Sequence, residues 1–226
     1  MSTADDFAEF VAGQALPLLR TAQLLTGDRT EGEELASIAL GAVYRRWDQL
    51  PAADRAAAAR HALLTEHPRW HRRTQLRDAV AATPLLRGLS LVPVAAPPVR
   101  GALTTALGRL PAPLRAVLVL RFGEGRSIAE TAELLGVPAE TVAPDTLRGL
   151  ARVEELLPAD DRPPAGVEAA LRSDLAARAA LVTTVPEGFL AGVLDGVSTQ
   201  RRHWTALAAV AAFLVLVAVL AVVTTH

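Results

Sequence analysis

The chain of 226 residues has no cysteine, only 4% aromatic residues and a net charge of -1. Without cysteine there is no disulfide scaffold, no thiolate-ligated zinc and no thiol nucleophile. Lysine is missing as well, so all 23 basic residues are arginine. With alanine at about one residue in five against ordinary usage, that bias reads as a GC-rich coding sequence. No glycine-rich phosphate loop and no paired-carboxylate motif occurs, and the 5 histidines are scattered. His67 and His71 stand four apart, a spacing that clamps metals on helices. Pro68 lies between them, and solvated side chains are the simpler reading. Nothing is nominated as a catalytic residue, metal ligand or cofactor site, so the expectation is a non-enzyme. Residues 1–9 already carry Asp5, Asp6 and Glu9, unlike the cationic and then apolar pattern of a secretory leader.

What is present in excess is apolar surface. An apolar share of 51% and a mean hydropathy of +0.28 exclude a disordered chain. The excess sits in Trp204–Val223, WTALAAVAAFLVLVAVLAVV, an uncharged run. As a helix it is about 30 Å long, the thickness of a bilayer's hydrocarbon core. Without it the mean hydropathy falls to about +0.04, ordinary for a soluble protein. Arg201, Arg202 and His203 precede the run, a cationic flank that keeps the N-terminal side in the cytoplasm, with Trp204 as an interfacial anchor. A buried core helix is the alternative, but globular helices seldom stay apolar on every face for five turns. The expected placement is single-pass in the cytoplasmic membrane, with the N-terminal domains in the cytoplasm.

The remainder reads as all-α. Phe7, Phe10, Val11, Leu16, Leu19 and Leu24 recur at helical intervals. The run Thr26-Gly27-Asp28 punctuates, and Glu31–Trp47 resumes the pattern. Pro51 breaks the chain, and Asp54–Arg77 forms an Arg-rich stretch that Pro68 should kink or divide. Proline and glycine then crowd residues 79–100. The expected organisation is therefore a helical domain at 1–78, a linker at 79–100 and a second helical domain at 101–158. A juxtamembrane arm at 159–203, with one helix from Val167 to Leu181, leads to the apolar run at 204–223.

Within the second block, SIAETAELLGVPAETV has the form of a helix-turn-helix. Ile128, Ala132 and Leu135 give the first helix a buried face, Gly136 supplies the left-handed turn, and Val137 and Val142 add apolar contacts. An ordinary helical hairpin shares those features. The run ALGRLPAPLRAVLVLRFGEGRSIAETAELLG, residues 106–136, carries more information. It resembles region 4 of bacterial extracytoplasmic-function sigma factors of the sigma-70 family. Phe7–Val11, Leu18–Ala22, Leu24–Asp28, Glu33–Leu35, Ala39-Leu40, Val43-Tyr44 and Trp47 resemble region 2 in its actinobacterial style. Together the two matches cover about residues 5–157 in the order that family has.

The resemblance implies the following roles. Core RNA polymerase would be bound through the Glu31–Trp47 helix, at Glu33, Glu34, Leu35, Arg45 and Arg46. The stretch 60–77 would engage the promoter -10 element through Arg60, Arg69, Trp70, Arg72, Arg73 and Arg77. Single-strand capture needs cations for phosphates and aromatic faces for bases, and this composition supplies both. A solvated basic face with one packed tryptophan is the plainer alternative. An anti-sigma or other regulatory protein is a further implied partner, beside promoter DNA and the cytoplasmic membrane.

Charge arithmetic separates the two halves. Residues 45–78 and 79–126 carry net +4 and +5, whereas residues 1–44 and 127–161 carry -5 and -6. The recognition helix thus lies in the most acidic part of the chain, though it should approach one phosphate per roughly 1.7 Å of duplex axis. Where relatives have a "TVKSR" run, this chain has Thr141-Val142-Ala143-Pro144-Asp145. Pro144 costs about 3 kcal/mol in a helix interior, so the helix should kink there or restart with Pro144 in its first turn. Arg148 and Arg152 remain for phosphates, giving a weak or partial -35 contact. Two functions follow. One is a membrane-tethered sigma factor; the other is a degenerate relative that holds polymerase or a regulator at the membrane without reading promoters.

Overall fold

The computed structural model describes residues 3–81 and 101–195, with side chains omitted at 77–81. The linker at 79–100 falls almost wholly outside the described residues, and the apolar run at 204–223 wholly so. No helix among the described residues is long and apolar enough to cross a membrane.

Helix α1 (Thr3–Thr26) buries Phe7, Val11, Ala15, Leu18, Ala22 and Leu25 along one stripe, the alternation of three and four that keeps side chains on one face. It stops at Gly27, whose φ of 75° is left-handed and open to glycine at no steric cost. Asp28 then caps α2 (Arg29–Tyr44), accepting from the Glu31 amide at 3.0 Å. The helices meet closely at Gly32, where a Cβ would lie 2.9 Å from the Gln23 backbone. Helix α2 ends three residues before Trp47, which sits in a short 3-10 turn instead. Trp47 closes the end of the bundle, edge-on to Phe7 at 5.1 Å between centroids and covered by the Arg55 guanidinium at 3.7 Å.

Of the two outcomes expected at Pro68, division does not occur: helix α3 (Arg55–Ala81) runs through the proline. The missing amide forfeits one i→i−4 hydrogen bond, and packing against α2 and the second block holds the turns on either side.

The second block contains α4 (Ala102–Gly108), α5 (Ala112–Leu118), α6 (Ile128–Leu135) and α7 (Ala139–Leu156). Helix α5 passes into a π-helical segment, Val119–Gly123, closed by the Glu124 amide on the Val119 carbonyl at 3.1 Å. Helix α8 (Val167–Leu181) follows, and a further helical stretch occupies 189–195.

The two blocks share one apolar core. A continuous cluster of buried side chains runs from Phe7 through Leu63, Trp70, Leu110 and Leu120 to Leu171, Leu175 and Val193. Helix α3 packs on α5 and α6, α1 packs on the π segment, and α8 lies across α1, α7 and that segment.

Candidate nucleic-acid interface

The helix-turn-helix is built by local signals. Ser127 Oγ accepts from the Glu130 amide at 3.2 Å, while the Glu130 carboxylate accepts from the Ser127 amide at 2.8 Å. This reciprocal box satisfies two amides that would otherwise be orphaned at the start of α6. Those hydrogen bonds hold the Glu130 carboxyl below the usual carboxylate range, with Arg126 adding to them. Gly136 ends α6 at φ 66°, and the Val137 amide closes back on the Ala132 carbonyl at 3.1 Å. Buried Val142 on α7 then packs with Ala132 and Val117 to form the hairpin's own small core. Gly149 brings α7 against α5, since a Cβ there would stand 3.0 Å from Leu118.

Three expectations here need correction. Ile128 and Val137 are each 39% exposed rather than buried partners of the turn. Helix α7 neither restarts nor places Pro144 in its first turn; it begins at Ala139 and continues through the proline. The first turn is already committed upstream, after Pro138, and Val142 anchors it before Pro144 is reached.

The exposed face of α7 carries Arg148 and Arg152, as the pattern requires, but neither presents an unanswered charge. Arg148 pairs with Asp145, and Arg152 pairs with Glu155 at 2.6 Å. Leu147, next to Arg148, is 69% exposed. Such exposed pairs contribute little to stability, yet each lowers the positive potential that a phosphate lattice would meet.

On α3 the candidates divide by face. Arg72 and Arg73 are exposed, and Arg69 is exposed and paired with Glu66 at 2.9 Å. Trp70 is only 3% exposed, packed into the shared core, so the aromatic face expected for bases is covered in this arrangement. Arg60 is half-buried at the seam, lining a narrow crevice between Leu63 and Leu64 of α3 and Leu120 and Leu134 of the second block. The side chain of Arg77 lies outside the described residues. Glu34 on α2 is exposed, as are Arg45 and Arg46 just past its C-terminal end, and Glu33 pairs with Arg29 at 2.9 Å. Leu35 is fully buried in the core, so it positions α2 and offers no surface to a partner.

The seam between the blocks holds Arg115, which sequence reasoning passed over, and His67, which was expected to be solvated and is not. Arg115 is buried and donates to the carbonyls of Leu107 at 2.9 Å, Leu25 at 3.0 Å and Leu110 at 3.2 Å, and to that of Gly108. Its guanidinium thereby joins the carbonyl ends of α1 and α4, where a helix dipole favours a cation. Beside it, His67 is fully buried, and neither ring nitrogen has a hydrogen-bond partner. Burial, then Arg115 and His71, lowers its pKa to about 3, with the Leu25 backbone offsetting little. His71 is shifted down as well, by burial first and Arg115 second. A lone arginine inside the apolar run Leu114–Leu120 was a legible sign of a buried cation. The Ser-x-x-Glu spacing at 127–130 was an equally legible cap. Thr21 also donates to Glu124 across the seam.

Comparison with known proteins adds the following. Residues 100–153 match the family described as sigma-70, region 4. The chain is 33% identical over 160 residues to the RNA polymerase sigma-E factor of Streptomyces avermitilis, covering 69% of this chain and 87% of that protein. It is 32% identical over 157 residues to the protein of the same name from Streptomyces coelicolor, covering 69% and 88%. Both alignments are far longer than the region 4 match, so they draw on the first block as well. A solved structure of the sigma factor RpoE with the anti-sigma factor NepR from Bartonella quintana is 21% identical at a TM-score of 0.44, covering 67% of this chain and 96% of that one.

Proposed function

Because the chain belongs to the extracytoplasmic-function group of the sigma-70 family, we propose that it is a sigma factor. It binds core RNA polymerase and directs transcription initiation at specific promoters from the cytoplasmic membrane. The observation that carries this is a helix-turn-helix with its capping box, left-handed glycine and own core inside the residues that match region 4. Glu34 and the half-buried Glu33 on α2, with Arg45 and Arg46 just past its end, offer polymerase a mixed-charge surface. Arg69, Arg72 and Arg73 supply phosphate contacts near the -10 element, and Trp70 joins them once the seam opens. The run at 204–223 is the tether, and an anti-sigma or other regulatory protein is a partner of the same surfaces.

A second reading is favoured by one specific observation, the pairing of Arg148 and Arg152 with acids of their own helix. Under it the second block no longer reads a -35 element, and the protein holds polymerase or a regulator at the membrane. Full-length protein reconstituted in nanodiscs separates the two. Core polymerase is added, and transcripts are mapped on fragmented genomic DNA from a Streptomyces host. New start sites dependent on the protein are expected. Core binding without any such start would leave only the second reading, and no core binding would remove the sigma-factor reading together with the polymerase-holding form of the second. For the tether, release of the intact chain from membranes by alkaline carbonate would eliminate a spanning segment.

A further inference from the structure

The arm following the helix-turn-helix has no counterpart in the region 4 match, which ends at residue 153. Yet it is no loose appendage. Leu171 and Leu175, one turn apart on α8, are fully buried in the core shared by the two blocks. Val182, Phe189 and Val193 continue the buried stripe beyond the helix. The arm touches both blocks at a single junction. A Cβ on Gly123 of the π segment would meet Leu24 of α1 at 2.9 Å and Leu175 of α8 at 3.5 Å. Arg20 of α1 donates to the Val182 carbonyl at 3.0 Å, and the Arg172 guanidinium lies 5.5 Å from the Phe122 ring centre.

We infer that residues 167–195 form an intramolecular clasp that holds the two helical blocks shut and so covers the α3 face used for promoter DNA. This rests on the sigma-factor reading and adds the regulation of its site. The closed seam packs α5 and α6 on α3, half-burying Arg60 against Leu120 and Leu134, and Trp70 is buried in the core the two blocks share. Trp70 reaches a nucleic-acid strand only by leaving that core. The polar seam contacts, Arg115 to Leu25 and Thr21 to Glu124, join the blocks directly. The arm adds apolar area on both sides of the joint, and apolar burial is the term that scales with area. In sequence the arm also connects this junction to the apolar run at 204–223, so an event at the membrane has a covalent path to the clasp.

The test uses the full chain in nanodiscs. Its lack of cysteine lets two spin labels be placed cleanly, through Thr65→Cys on α3 and Glu140→Cys on α7, both exposed. Pulsed electron–electron distances are measured with the native arm and with Leu171→Asp/Leu175→Asp, and binding of a fluorescent single-stranded DNA oligonucleotide is titrated on both. The native arm should give one narrow distance. The double variant should broaden and lengthen it and tighten oligonucleotide binding about tenfold or more, within the usual range of coupling between sites. An unchanged narrow distance in a variant that keeps its helical circular dichroism would overturn the clasp. So would a measurable but equal oligonucleotide affinity in the two chains. If the double variant loses helicity, Leu175→Ala replaces it, with a smaller broadening in the same direction expected and none refuting. Opening with no oligonucleotide binding in either chain would overturn the promoter role read for α3 and leave the clasp as a structural joint.

Discussion

Lowering the pH should weaken this fold through His67 more than through any other single group at the seam. His67 is neutral in the folded chain at pH 7, and its pKa there is about 3, against 6.5 when unfolded. The unfolded chain therefore takes up the proton first. Stability is fully present above 6.5 and is lost as the pH falls from 6.5 toward 3. At about 1.4 kcal/mol per pH unit for one proton, the loss between pH 7 and pH 5 is about 2 kcal/mol. The ring is fully buried, so solvent screening removes little of this. Arg115 and His71, the charged and titratable neighbours, act in the same direction. Urea denaturation followed by circular dichroism at pH 7 and pH 5 measures the loss in the native chain and in His67→Leu. Leucine removes both unsatisfied ring nitrogens along with the proton site, and loss of an unsatisfied polar group is neutral or stabilising. The variant should lose about 2 kcal/mol less than the native chain over this interval. Equal losses in the two chains would refute the assignment of a buried, neutral His67.

Three further perturbations follow from the same geometry. Arg115→Met removes donors from four carbonyls and should destabilise the chain by about 3 kcal/mol or more, read from the shift in urea midpoint. Gly136→Ala forces a Cβ into a left-handed turn at φ 66° and should cost about 1–2 kcal/mol in the same assay. Asp145→Arg frees Arg148 and raises the charge of α7 by two units. It should strengthen binding of a promoter duplex and steepen its salt dependence by up to about two in the log–log slope, measured by fluorescence anisotropy.

Much of the architecture was legible because helices are local objects. The stripe from Phe7 to Leu24, the break at Gly27-Asp28, the turn at Gly136 and the helix Val167–Leu181 follow from periodicity and from φ preferences that short segments already express. Neither Pro68 nor Pro144 divides its helix, for a shared reason. Propensity prices an isolated helix, whereas α3 and α7 are held by packing on both sides of Pro68 and Pro144. The candidate site was legible as a list of residue types but not as a surface. Arg69, Arg72 and Arg73 emerged on an open face, while Trp70 and Leu35, chosen by the same motif logic, are in the core.

The sequence by itself determined the all-helical class, the positions of the caps and turns, the family, and the acid–base banding along the chain. Each depends on neighbours a few residues apart or on composition. Only the tertiary structure decided which cations are answered by acids on their own helix. It also decided that the two blocks close over the α3 face, and that Arg115, His67, Leu171 and Leu175 meet at the closure. Those contacts join residues up to 162 positions apart, as Arg20 and Val182 do. No local periodicity encodes them, because burial at a seam depends on how whole elements pack rather than on what any one of them prefers.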